Sequence, residues 1–153
     1  MADSDLIHKD QYYVAVKVFL KKEGKLLIIK DQWGDWDIPG GRLKKHEFET
    51  NLEDVILRKM HEEIGVDVQY DLGAPVVMMR HERIEQKPGE GADPAIRIFA
   101  VGYEAQWIAG VPEKGEYISE MKWVSIDTFK PEACFVGGWL KGIQDYLALQ
   151  RNK

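Results

Sequence analysis

Cysteine is almost missing from this sequence: Cys134 is the one example. It can form neither an intrachain disulfide nor a cysteine zinc cluster, which fits a reducing compartment. Long apolar runs are missing too. None approaches the roughly 20 residues of a membrane-spanning helix. The opening MADSDLIHKD lacks the basic-then-apolar layout of a signal peptide. A cytoplasmic protein that engages no membrane is expected. Positive charge is in deficit, with 21 Lys and Arg against 26 Asp and Glu and a formal net charge of -5. That argues against a broad basic surface for a nucleic acid polymer, and leaves room for a local basic pocket. Internal repeats and low-complexity segments are also absent.

What is present suits one domain over 1–153, with 153 residues and a hydrophobic share of 44%. Residues 1–10 are polar and expected to be loose. YYVAVKVFL (12–20) and LLIIK (26–30), joined by KKEGK, read as a β-hairpin. DQWGDWDIPGG (31–41) mixes aromatics, acids and glycines, as a loop beside a pocket would. Leu52, Ile56, Met60 and Ile64 recur every four residues, which predicts a helix with an apolar stripe through LEDVILRKMHEEI. Thr50 or Asn51 is placed to cap it, and Gly65 to stop it. Strand patterns return at 66–72, 74–82, 95–107 and 121–126. They are interrupted by a Gly- and Pro-bearing segment, QKPGEGADP (86–94), expected to be mobile. A second helix is expected over much of 131–150. Strands and helices without regular βαβ alternation predict an α+β domain, a mixed sheet flanked by helices.

The segment RKMHEEIG (58–65) poses a problem for a plain helix. Acids are favoured near a helix N-terminus and bases near its C-terminus, yet Glu62 and Glu63 fall in the last turn. Upstream lies Gly40-Gly41, a pair that lets backbone approach a ligand closely. Adjacent carboxylates on a rigid helix are what a hard divalent cation such as Mg²⁺ takes, in company with substrate phosphates. The reaction suggested is metal-assisted attack of water on a phosphoanhydride. The plain alternative is a solvated helix face whose acids pair with Arg58 and Lys59.

Residues 40–66, GGRLKKHEFETNLEDVILRKMHEEIGV, resemble the signature of the Nudix hydrolases, the MutT-like family. Gly41 is followed after five residues by Glu47, and Arg58, Met60, Glu62, Glu63, Gly65 and Val66 follow in the family's spacing. WDIPGG resembles the family's usual lead-in. Six fixed letters at about 7% frequency each would coincide at on the order of 10⁻⁷ per starting position. There are two departures. Ten residues, not the family's seven, separate Glu47 from Arg58. The family's Arg-Glu is Arg58-Lys59, so a lysine stands where a metal-supporting acid is expected. Lys59 is spaced to pair with Glu62 or Glu63, and its charge can take up space meant for a further metal.

The resemblance implies an α/β/α sandwich and hydrolysis of the pyrophosphate bond of a nucleoside diphosphate linked to another group. It implies Mg²⁺ (or Mn²⁺) on Glu62, Glu63 and the Gly40 carbonyl. Gly41, Glu47, Arg58 and Gly65 would be structural, with Glu47 and Arg58 a pair tying loop to helix. The base would be a box glutamate or a later one, Glu116 or Glu120, with Glu113, Glu82 and Glu85 behind them. Arg42 is the best-placed phosphate contact, ahead of Arg80 and Arg97. Trp36 and Trp33 flank the loop and are candidates to stack on a base. A homodimer is plausible by the same resemblance. The alternative is a catalytically impaired protein of the same fold that binds a nucleotide or a partner.

Overall fold

A computed structural model describes residues 8–85 and 95–153. The segment expected to be mobile at 86–94, and most of the loose N-terminus expected at 1–10, lie outside the described residues. Seven strands are seen there: β1 (Tyr13–Lys22), β2 (Lys25–Asp31), β3 (Trp36–Asp37), β4 (Gly40–Arg42), β5 (Gln69–Ile84), β6 (Ala95–Ala109) and β7 (Ile118–Ser125). Helix α1 spans Leu52–Ile64 and helix α2 spans Gly137–Arg151. The strands form one sheet in the order β3-β2-β1-β6-β5, with β4 added on β1 and β7 on β2. β1 and β6 run parallel, while the other pairs are antiparallel. The architecture is α+β, a mixed sheet flanked by helices. No helix among the described residues is long and apolar enough to cross a membrane.

Both sheet faces are covered, which explains why β1 and β2 are nearly continuous apolar runs. Side chains alternate between faces along a strand. Ala15, Phe19, Leu26 and Ile28 pack with Trp139, Ile143, Tyr146 and Leu147 of α2. Val16, Val18, Leu20, Leu27 and Ile29 pack with Val55, Ile56, Met60 and Ile64 of α1. Of the expected α1 stripe, Leu52 is exposed and Val55 takes the buried place at that end. The Phe19 and Tyr146 rings stack with centroids 4.2 Å apart.

Three expectations need correction. The patterns at 66–72 and 74–82 are one strand, β5, whose register shifts around Leu72, Pro75 and Val77 absorb the Gly73-Ala74-Pro75 interruption. Residues 31–41 are not all loop: β3 lies within them, and β4 begins at Gly40. The final strand starts at Ile118, earlier than the pattern at 121 suggested. The second helix does take up much of 131–150, starting at Gly137 after a separate 3₁₀ turn at Pro131–Ala133. Gly137 and Gly138 are poor helix formers, but contact with β5 requires small residues there. A Cβ on Gly138 would lie 1.8 Å from the Arg80 carbonyl oxygen. The Gly138 N–H donates to Nδ1 of His81 at 3.1 Å, and the His81 ring stacks on Trp139.

Gly138→Ala must therefore push α2 away from β5. A stability loss of about 1–3 kcal/mol is expected, typical of overpacking. Thermal unfolding of the purified variant reads it directly, and an unchanged midpoint would refute the close approach.

Candidate active site

The site is built where β4 meets the end of α1. Gly40 pairs with Lys17 and Gly41 with Val16 across the β4–β1 ladder. Gly40 has φ 144°, and a Cβ there would lie 2.1 Å from the Val16 carbonyl oxygen. Any side chain would separate the strands. Helix α1 stops at Gly65, φ 88°. Its last carbonyls are met by the loop after β6: Glu113 N–H donates to Ile64 O at 2.9 Å, and Gly115 N–H to Glu63 O at 3.0 Å. These bonds satisfy acceptors that a helix end otherwise leaves open.

Glu47 sits in a 3₁₀ turn, Lys45–Glu47, and is only 4% exposed. Both its carboxylate oxygens accept from Arg58, at 2.7 and 2.8 Å, and the Lys44 N–H also donates to it at 2.8 Å. This fork-to-fork pair ties the turn to mid-α1, and Arg58 holds the Glu47 carboxyl below the usual carboxylate range.

Neighbours in sequence, Glu62 and Glu63 part company in space. Successive helix residues point about 100° apart. Glu62 faces outward, with one oxygen accepting from Arg58 at 3.0 Å and the other from Lys59 at 3.2 Å. Burial acts to raise its carboxyl, but these two cations outweigh it and leave it below the ordinary value. Glu63 turns inward, and its Oε1 accepts from the Gly40 N–H at 2.7 Å. Burial pushes the Glu63 carboxyl up to about 7, against the opposing pull of Lys17 and the Gly40 N–H.

Glu63 opens into a cleft of about 290 Å³ between β4, α1, the loop before β7 and the start of α2. Lys17, Arg42, Lys59 and Arg83 line it, with Asp31, Asp37, Trp33, Tyr117 and Trp139. Lys17 is 5% exposed, with its ammonium 2.7 Å from Asp37 Oδ2 and 4.8 Å from the centre of the Trp139 ring. Arg42 is held by both oxygens of Glu85, at 2.6 and 3.0 Å. Trp33 is 71% exposed at the mouth.

Gly40, Gly41, Glu63 and Arg42 thus share one cleft, while Glu62 stands just outside it with Arg58. Trp36 does not line the cleft; Lys30 and Lys122 lie over its ring at 5.6 and 5.0 Å. Glu116 is exposed beside Tyr117, and Glu120 is exposed and paired with Lys30 at 3.2 Å. Arg97 binds Glu82, and Arg80 is exposed elsewhere. Lys17, Asp37, Arg83 and Trp139 escaped the reading of the sequence. Lys17 carried a signal, since it is the charged residue inside the apolar run 14–20 of a strand whose two faces are both buried.

The family model for the NUDIX domain matches residues 11–137. The chain belongs to the NUDIX domain family. Solved Nudix structures share its fold at low identity. A MutT NUDIX hydrolase from Burkholderia pseudomallei aligns with TM-score 0.63 and 19% identity, over 89% of this chain and 98% of its own. A NUDIX hydrolase from Nitrosomonas europaea gives 0.69 and 15%, over 95% and 75%. An ADP-ribose pyrophosphatase from Streptococcus suis gives 0.63 and 16%, over 92% and 93%. A search of curated proteins finds no match.

Nudix hydrolases generally use divalent metals, but the donors of this cleft are not arranged for one. Among the described residues, no three Asp, Glu, His or Cys side chains gather as a metal centre would need. Both oxygens of Glu62 already hold cations. Asp37 holds Lys17, and Asp31 caps its own turn through the N–H groups of Trp33 and Asp35. A Cβ on Gly41 would lie 2.1 Å from Lys59 Cε and 2.7 Å from its Nζ. The Lys59 side chain therefore lies against the Gly41 backbone, with its ammonium bonded to Glu62. As arranged, these residues do not fit a divalent metal.

The raised Glu63 carboxyl has a stability consequence. Between the ordinary value of 4.5 and about 7 the folded chain keeps a proton that the unfolded chain has lost. Stability is full below the ordinary value and falls as pH rises through about 7. Glu63→Gln removes the loss, so the variant should exceed the native chain by about 1–3 kcal/mol at pH 8 and match it below pH 4.5. Denaturant unfolding across that range measures the difference, and a constant offset at all pH values would contradict it.

Proposed function

We propose that this Nudix hydrolase cleaves the pyrophosphate bond of a nucleoside diphosphate linked to another group. The observation that carries the reading is Glu63, a carboxylate held by the Gly40 N–H in a cleft that also presents Lys17, Arg42, Lys59 and Arg83. In the reaction, water attacks one phosphorus and the bridging P–O bond breaks. The proton from water passes to Glu63, and the two phosphorylated halves leave. The cations offset charge that builds on the phosphoryl oxygens. A base that titrates near 7 is matched to neutral pH. Trp33 and Tyr117, exposed at the mouth, offer faces for a nucleobase. Glu116, next to Tyr117, is the late-loop carboxylate best placed to approach a bound substrate, while Glu120 is engaged by Lys30.

A second reading follows the family's general use of divalent metals: Mg²⁺ (or Mn²⁺) on Glu62, Glu63 and the Gly40 carbonyl. It requires Glu62 to leave Arg58 and Lys59. Turnover that disappears with a chelator and returns with Mg²⁺ would favour it.

The test is release of nucleoside monophosphate from a panel of nucleoside diphosphate derivatives. ADP-ribose heads the panel because the similar Streptococcus suis protein is an ADP-ribose pyrophosphatase. At least one compound should turn over, with kcat/KM rising with pH through about 7 as Glu63 loses its proton. Glu63→Gln should lower kcat by roughly 10²-fold or more, the usual worth of a general base. Absence of turnover by the folded native chain across the panel would sink the proposal.

A further inference from the structure

We propose that the Lys59 ammonium, lodged between the Gly41 backbone and Glu62, replaces the divalent metal, so that the cleft binds a nucleoside diphosphate through fixed side-chain cations alone. The inference rests on the function proposed above and adds how the diphosphate is held.

Three observations converge on it. The Lys59 ammonium lies against Gly41 and bonds Glu62 at 3.2 Å, while its side chain is 20% exposed and lines the cleft. An ammonium has three donor hydrogens. With one used on Glu62, others remain for phosphate oxygens. Lys17 supplies a second cation from the cleft floor, held by Asp37 and lying over Trp139. Its position is set before any ligand arrives, so little reorganisation is needed on binding. The acids that a metal would need hold protein donors instead, with Glu62 committed through both oxygens. A lysine in place of the signature's acid reverses the charge at that point. An added metal would meet repulsion there, while a phosphate would meet attraction. Such a site responds to ionic strength, because the charges are partly exposed, and is indifferent to free Mg²⁺.

Titration calorimetry on the full chain tests this, using ADP, GDP, CDP and UDP as probes, first with chelator and then with millimolar Mg²⁺. At least one probe should bind with chelator present, with a Kd within about twofold of its Mg²⁺ value. Lys59→Met keeps the apolar stem, and should weaken that binding by about tenfold or more. Lys59→Arg keeps the charge and should retain most of the affinity. Lys59→Glu should bind tightly only when Mg²⁺ is supplied. Thermal unfolding of each variant confirms that it is folded. Native binding that needs Mg²⁺, or a folded Lys59→Met that binds as the native chain does, overturns the inference and leaves the hydrolase reading standing. No binding of any probe in either condition overturns both.

Discussion

The close approach of β4 to β1 is the constraint on which the site depends. It brings the Gly40 N–H to Glu63 at 2.7 Å and Gly41 under Lys59. Both contacts need backbone that carries no side chain. At Gly40 the obstacle to anything larger is the Val16 carbonyl and the Lys17 backbone, neither of which can move without parting the ladder. Glu63 is thereby drawn out of water against a single backbone donor, and its affinity for a proton rises. The raised carboxyl of Glu63, the base proposed above, follows from the packing of two glycines.

Around that point the protein holds its helix end by charge. The Glu47–Arg58 pair fixes the turn before α1 to the middle of the helix, and Arg58 reaches on to Glu62. Two acids in the last turn of a helix oppose the macrodipole. Here each is compensated separately, Glu62 by two cations and Glu63 by the Gly40 N–H. The loop before β7 closes the helix carbonyls and sets Tyr117 at the cleft mouth. The same loop therefore caps the helix and walls the site.

Lys59 gives this cleft its character. Nudix hydrolases generally use divalent metals, but here Glu62 is occupied by lysine and arginine and Glu63 by the Gly40 N–H. In the binding mode proposed above, the chain itself supplies the positive charge, so that phosphate recognition and metal supply become separable. Lys17, enclosed between Asp37 and Trp139, adds a second fixed cation from β1, a strand outside the signature segment.

Much of this was legible in the residues alone. The four-residue stripe gave α1, the β-branched runs gave β1 and β2, and the spacing of Gly41, Glu47, Arg58, Glu62, Glu63 and Gly65 pointed to the family. These signals are local: helix periodicity, turn chemistry and a motif within one continuous segment. Less visible was the long strand β5, because Gly73 and Pro75 read as a break until β6 paired across them. The partners of each charge were invisible as well. Spacing along α1 allowed Lys59 to meet either glutamate, and helix rotation turns Glu62 outward and Glu63 inward. Lys17, Asp37, Arg83 and Trp139 come from four separate parts of the chain, so no motif could gather them. A carboxylate's protonation depends on what surrounds it in space, and that environment exists only once β4, α1 and β1 have packed together.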